Sequence, residues 1–583
     1  DIKNFKRYND FGKYVNEILS TPICERGVPS KELPEDCSED SITPLGLAQK
    51  VEEYDSDYII IPHGQTWGLY TPMGYTLDKG LELSKQYPQQ FDLLEIHSGH
   101  GNSEEYRSWR AADVVRDGEL MLDQFLSLGD ADSIDYEKGV AKFNIDGDEQ
   151  LFDIGTQTCP EPSENYMPQC RKLGDVMFER CMEQGIDEVK CEKIRVETRQ
   201  LVVNKGRTGI NTVSHLTEEE KLDSGQCKDC FSAAMNYVPG GSAQYGMALT
   251  KFKDDGTKHR FNYGFISSSD NHESAPGSGY KELFHTSIDG AGPKSEFFDK
   301  ILHMQQYTLG GENESAIKDA FKSDYEPVDF DITKLDLSFN VIEWERQRSF
   351  FQTGGLAAVH SEGRSKKEIW KAFKRHETYA TSGPRILLWF NLLNEGSSQS
   401  ATHPMGAVVS MNHNPTFEVK AMGSYVQKSG CPEDAYNALG EDRVNELCYN
   451  ECYNPSDERK KITRIEVIRV MPQEYENQPI DDRIEDKWLT HNCDIDSIGC
   501  QFEFTDPEFS SMESDVSYYV RAIEEPSPII NVKGAHCIYD DEGNCTEFKI
   551  CTQDWKNPRD VEACSSIDEP RAWSSPIYID YTS

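Results

Sequence analysis

The chain has 583 residues, with 102 acidic against 60 basic side chains and a formal net charge of −42. That balance excludes a nucleic-acid binder, whose phosphate contacts need Lys and Arg, and it argues equally against docking on anionic lipid. Hydrophobic residues are 37% of the chain, enough for sizeable cores in about two to four domains, and no apolar run reaches the about 18 residues of a membrane-spanning helix.

The first residue is Asp1, with no methionine and no basic-then-apolar leader. The chain is therefore expected to begin inside a longer precursor or to have lost its N-terminus, and an N-terminal piece of the same precursor is a candidate partner. Residues 1 to about 55 are polar, with helix-like pieces such as YNDFGKYVNEIL. Tyr58 to Ile61 is a short apolar run stopped by Pro62, which predicts a buried parallel-type strand ending at His63. A second such strand is expected from Phe91 to about Ile96 in FDLLEIHSGHG, and DKGLELSKQYPQQ between them reads as a helix. Strand, helix and strand predict a βαβ unit.

Residues 150 to 235 carry six cysteines and a long helical stretch, LGDVMFERCMEQGIDEVKCEKIRVETRQLVVNKG. In LTEEEKL, Thr217 is a plausible N-cap with Glu220 three residues on. The region is read as a disulfide-pinned helical insertion. The chain has 17 cysteines, grouped locally in polar sequence, a pattern that predicts disulfides in an exported protein. Zinc is the competing reading at Cys227 and Cys230, but no second C-x-x-C or histidine pair follows at finger spacing. The odd count leaves one thiol free or paired outside the chain.

The α/β pattern resumes at SAQYGMALTKF and RFNYGFISSSDNH. Further on, Ser365 and Glu368 have capping-box spacing, and Ile369, Trp370 and Phe373 fall on one helix face. The five basic residues of this helix invite an anion-binding reading, with a solvated face as the alternative. After about Gly383, RILLWFNLL, TFEVKAMGS, ITRIEVIRVM, CQFEFTD, SYYVRAIEE and SPIYIDY are strand-like and separated by polar turns. They predict an all-β domain, a sandwich.

In α/β sheets, function collects beyond the carboxyl ends of the strands. His63, Glu95 and the pair Asp270 and His272 are expected at such ends, and mixed imidazole and carboxylate donors suit Zn, Mn or Fe. His97 and His100 follow Glu95, and Trp67 and Tyr70 follow His63 as candidate pocket walls, with Asn102 a further candidate substrate contact. Ordinary roles compete with each: a hydrogen-bonded loop histidine, a salt-bridged Glu95, loop packing for the aromatics. No G-x-S-x-G elbow, P-loop or dinucleotide fingerprint stands out. Asn313 and Asn544 fit the glycosylation sequon.

The stretches IIIPHGQTWGLYTP, EIHSGHGNSEEYRSWR, YGFISSSDNHESAPGSGYKE, GGLAAVHSEGRSKKEIWKAFKRHETYATSGPRI, YYVRAIEEPSP and RAWSSPIYIDY resemble the proteins of domain-of-unknown-function family 3604. These are related to PHP-type metal-dependent hydrolases and to carbaryl-hydrolase-like proteins. The resemblance implies a (β/α) barrel with two or three divalent ions, Zn, Mn or Fe. His63 matches the lone-histidine motif, and Asp270 and His272 match the final D-x-H motif. The earlier ligand motifs have no counterpart, so the chain resembles the C-terminal portion of such a protein.

The expected fold class is therefore α/β plus all-β. A partial PHP-like barrel would occupy residues 1–150 and 236–382, the Cys-rich helical insertion 151–235, and the C-terminal β-sandwich 383–583. The expected function is an exported, periplasmic or extracellular hydrolase. It would use metal-activated water on a small-molecule phosphoester, or on an ester, amide or carbamate. His63, Asp270 and His272 would be ligands, Glu95 and His100 catalytic groups, and Trp67, Tyr70 and Asn102 substrate contacts. The alternative is a non-enzymatic exported scaffold or surface-binding protein that keeps the fold.

Overall fold

The computed structural model describes residues 13–66, 76–115, 133–269, 353–393, 402–530, 537–548 and 565–582, with short interruptions inside these ranges. The expectations at Trp67, Tyr70, His100, Thr217, Asp270, His272, Asn313 and Asn544 lie outside the described residues.

The N-terminal part is built on a small sheet. Helix α1 (Leu77–Gln86) buries Leu77 and Leu81, one turn apart, in a core shared with Leu94 and Ile96. Strand β1 (Leu93–Ser98) is buried along its whole length, and β2 (Gly101–Asn102) turns back antiparallel to it. Gly101 makes this turn at φ +113°, where a Cβ would lie 2.8 Å from the Ser232 carbonyl oxygen. The helical stretch of the cysteine-rich region is two helices, α2 (Gln169–Glu183) and α3 (Glu188–Lys205), joined through Gly185 at φ +73°. The Cys181–Cys191 disulfide ties them, and Leu173, Val176, Met177, Ile194, Val202 and Val203 form their own core.

Ser242 caps the short helix α4 (Ala243–Ala248) through the backbone N–H of Tyr245. Strand β3 (Gly264–Ser267) then enters the first sheet parallel to β1, with Glu95 opposite Ile266. The sheet order is β3-β1-β2.

One expectation is corrected here. Residues Tyr58 to Ile61 are not a strand; they run outside any ladder. Pro62 lacks a donor, and the Tyr58 carbonyl is taken by the Lys374 ammonium at 2.8 Å, so the run lies beside a helix and gains no strand neighbour. The parallel partner of β1 is β3 instead. The described residues are mixed α/β, and no sheet closes on itself among them.

The C-terminal part is two facing sheets. Strand β4 (Leu356–Val359), helix α5 (Lys366–Lys374) and strand β5 (Thr378–Thr381) come first. The capping box expected at Ser365 and Glu368 is present in both directions. Then follow β6 (Leu387–Leu392), β7 (Val408–Met411), β8 (Thr416–Met422), β9 (Ile462–Val470), β10 (Ile484–Asn492), β11 (Cys500–Thr505), β12 (Val516–Glu524), β13 (Arg571–Ser574) and β14 (Ile577–Tyr581). An eight-stranded sheet runs β4-β5-β13-β12-β9-β10, with β14 pairing both β12 and β7. Its first two strands precede residue 383. The second sheet is His403–Pro404, β6, β8 and β11.

Leu388, Phe390, Phe417, Val419, Val467, Tyr518 and Val520 fill the space between the sheets. The other face of the larger sheet packs on the N-terminal part through Ile468, Val470, Tyr519 and Trp573. The larger sheet is thus a middle layer, and β12 is buried on both faces throughout.

Among the described residues there are six disulfides: Cys24–Cys37, Cys159–Cys170, Cys181–Cys191, Cys227–Cys230, Cys431–Cys452 and Cys493–Cys500. All are local, as the grouping of the cysteines predicts. No described helix is long and apolar enough to cross a membrane.

Candidate functional site

Glu95 stands on β1 two residues beyond Leu93 and is almost fully buried. Its carboxylate accepts from His63 Nδ1 at 2.6 Å through Oε2, and from the Ser268 hydroxyl through Oε1. A carboxylate can only accept, so Nδ1 of His63 is the donor, and in the neutral ring Nε2 carries the lone pair. The His63 side chain is about half exposed, with a relative accessibility of 50%. The pair therefore presents an oriented imidazole at the surface, backed by a buried acid.

The chain holds His63 from both sides. Upstream, Lys374 anchors the Tyr58 carbonyl and pairs with Asp92 at 2.9 Å. Downstream, Gly64 turns the chain at φ +69°. Gln65 and Thr66 are then buried; the Thr66 carbonyl accepts from the Val238 N–H at 2.8 Å, and its hydroxyl lies 2.5 Å from that of Ser103. At Gly241 a Cβ would lie 2.1 Å from the Gln65 carbonyl oxygen, so only glycine lets this segment pass.

Ser268 is positioned by the end of β3. Its N–H donates to the His97 carbonyl at 3.0 Å, and its own carbonyl accepts from the Gly355 N–H at 2.7 Å. At Gly354 a Cβ would lie 2.7 Å from the Ser269 Cα. The chain thus leaves β3 and returns towards β4 at the same place, beside Glu95.

Of the residues picked out from the sequence, the structure brings His63 and Glu95 together. Asn102 is buried and serves the backbone: its Oδ1 accepts the Glu104 N–H at 2.8 Å and its own N–H donates to the Ser232 carbonyl. His97, between Glu95 and His100 in sequence, is buried against Phe231 and Trp573, and its Nε2–H donates to the Thr353 carbonyl at 3.0 Å. Burial pushes its pKa down to about 4, so it is a neutral core residue.

Sequence reasoning missed a second charged centre. Glu104 and Arg521 are both fully buried and share hydrogen bonds of 3.0 and 2.6 Å. Glu104 also accepts from the Trp573 indole N–H at 3.0 Å and from the Tyr519 hydroxyl. Arg521 reaches Asp486 at 2.6 Å and Glu466 at 3.3 Å. Burial works against the guanidinium charge, but Asp486 and Glu104 hold its pKa above the ordinary value. Burial would raise Asp486, yet Arg521 brings it down to about 2. Burial raises the Glu104 pKa against the pull of Arg521. Paired acids in NSEEYR were the only local signal; nothing nearby in sequence names Arg521.

An imidazole whose other nitrogen is tied to a carboxylate is a common form of ligating histidine, but no compact group of candidate ligands among the described residues includes His63. Among the described residues, the compact groups of three candidate ligands are Cys431, Cys448 and Cys452, and Cys227, Asp229 and Cys230. Each has two sulfurs joined in a disulfide, which leaves no thiolate pair for zinc.

Residues 222–429 match the family described as "Protein of unknown function (DUF3604)". The matched span includes β3, Ser268, α5 and the positions of Asp270 and His272, and it leaves His63 and Glu95 outside. No curated protein and no solved structure matches the chain.

Proposed function

We infer that this chain is an exported metal-dependent hydrolase acting on a small molecule, with His63 and Glu95 at its active centre. The observation that carries the reading is the 2.6 Å hydrogen bond from His63 Nδ1 to Glu95, the third residue of β1, whose other carboxylate oxygen is held by Ser268 just past the carboxyl end of the parallel neighbour β3. Glu95 fixes the ring tautomer and orientation, so Nε2 points its lone pair consistently, as a ligand or as a base. Ser268 holds the second carboxylate oxygen and keeps Glu95 from rotating away. Asp270 and His272 follow Ser268 by two and four residues and are proposed to complete the ligand set. A divalent ion held there would supply Lewis acidity and lower the pKa of water towards neutrality. A phosphoester is the proposed substrate bond, with ester, amide and carbamate as neighbours in the same chemistry. The local disulfides fit an oxidising compartment outside the cytoplasm.

A second reading is a non-enzymatic exported scaffold. Among the described residues, no third His, Cys, Asp or Glu joins His63 and Glu95 within ligating distance. Metal analysis of the purified protein separates the two readings. The hydrolase reading expects one or more equivalents of Zn, Mn or Fe, lost on His63→Ala and on the double change Asp270→Ala, His272→Ala, with hydrolysis lost in parallel. Metal content that these changes leave untouched, or its absence after reconstitution with all three ions, sinks it.

A further inference from the structure

We propose that the cavity between the 59–61 segment, β1 and α5 binds the organic part of an aryl-bearing anion that is presented to His63 and Glu95; this rests on the hydrolase reading for the reaction, but not for binding. The cavity measures about 570 Å³ and is lined by Ile59, Ile61, Leu93, Ile369, Trp370 and Phe373, with Arg364 and Lys366 at its edge. Its volume lies within the range of small-molecule sites.

Period-two geometry places the cavity next to the dyad. Ile59 and Ile61 of the lining precede His63 by four and two residues, and Leu93 and Glu95 alternate along β1. Residues two apart in extended chain share a face and stand roughly 7 Å apart. Leu94 and Ile96 point the other way, into the core with Phe265 and Trp573. The face that carries Leu93 into the cavity is therefore the face that carries Glu95 to His63. A ligand in the cavity has the imidazole one side-chain spacing beyond its apolar wall.

The lining selects the ligand. Trp370 and Phe373 offer aromatic faces, and the three isoleucines and Leu93 supply an aliphatic wall, which suits a ring system. Arg364 and Lys366 have no ion pair with any described carboxylate. Two cations that no described carboxylate pairs, at the rim of an apolar cavity, suit an incoming anion. An uncharged arene would gain the wall without the cations, and inorganic phosphate the cations without the wall.

The probe is 1-naphthylphosphonate, which cannot be hydrolysed at an ester bond, titrated into the full chain by calorimetry. 2-Naphthylmethanol and inorganic phosphate serve as the partial ligands. Binding of the phosphonate is expected at least 10-fold tighter than either. Trp370→Ala, and separately the double change Arg364→Ser, Lys366→Ser, are expected to weaken it 10-fold or more. Lys367→Ser, a neighbouring helix cation outside the lining, is expected to leave it within 2-fold. Both edge residues are exposed, so their variant remains informative if Trp370→Ala fails to fold. Equal affinity in the edge variant, or no preference over the partial ligands, overturns the proposal. Hydrolysis of 1-naphthyl phosphate is followed in parallel. Binding without turnover keeps the cavity and removes the hydrolase reading; turnover unaffected by the edge variant does the reverse.

Discussion

Arg521 and Glu104 lie 417 residues apart in the sequence and meet side by side with no solvent exposure, joining the middle sheet to the N-terminal part. The pair is closed by Trp573, Tyr519 and Gln244. Cutting one partner of such a pair leaves an uncompensated buried charge, a loss of about 3–5 kcal/mol. Arg521→Met is expected to destabilise the protein by that order in denaturant unfolding. Glu104→Gln added to it should recover a good part of the loss, because the stranded carboxylate is gone. Additive losses in the double-mutant cycle would show that the two side chains do not act as a unit.

Asp486 sets an acid limit on this joint. Its pKa is held near 2 in the folded chain against an ordinary value of 3.8. The unfolded chain therefore binds the extra proton first, and stability falls as pH drops from about 4 towards about 2. The contribution lost is about 2 kcal/mol. Asp486→Asn should be less stable at neutral pH and show a flatter pH dependence across that window, measured by thermal melting from pH 5 to 2.

His97 works in a higher window. Its folded pKa of about 4 lies below the ordinary 6.5 because burial disfavours the charged ring. Between pH 6.5 and 4 the unfolded state takes up the proton and the folded state does not, so stability rises with pH across this interval and is fully present above it. His97→Gln keeps a donor for the Thr353 carbonyl and removes the titration. Its melting temperature should change much less than that of the parent between pH 6.5 and 4; an equal slope would assign the acid sensitivity elsewhere.

Cys448 lies outside the six disulfides, with its sulfur 2.9 Å from that of Cys452 and 3.7 Å from that of Cys431. A Cys448 thiolate attacking Cys452 forms a new S–S bond and releases Cys431 as thiolate, with no outside oxidant. Peptide mapping under non-reducing conditions, after incubation at pH 8.5 and acid quenching, should find both the Cys431–Cys452 and the Cys448–Cys452 linkages. Cys448→Ser should show the first alone. A single linkage in the unaltered protein would end the exchange idea.

Much of the β architecture was legible from alternation. In TFEVKAM of β8 every second residue is buried, the pattern that period two predicts for one covered face. Strand β12 was legible as a strand but not in its surroundings. VSYYVRAIE places a charged Arg521 where one would expect water, and only the distant Glu104 explains why it is buried. Tyr58 to Ile61 was misread because an apolar run reports burial and says nothing of who supplies the ladder; here the neighbour is α5. At the candidate site, His63 and Glu95 were each legible as residues near the end of an apolar run. Their hydrogen bond was not, since it depends on how Thr66 and Ser103 dock one segment on another.

The contact between Ser269 and Gly354 has a bearing on how this protein can vary. Where a chain departs and re-enters at one point, the entropy of closing the span between depends only weakly on its length. Doubling such a span costs only about 0.6 kcal/mol in closure entropy. A change of length in the span after His272 is thus cheap while β3, β4, the proposed ligands and the imidazole–carboxylate pair stay where they are, which makes this a natural place for new specificities to be grafted.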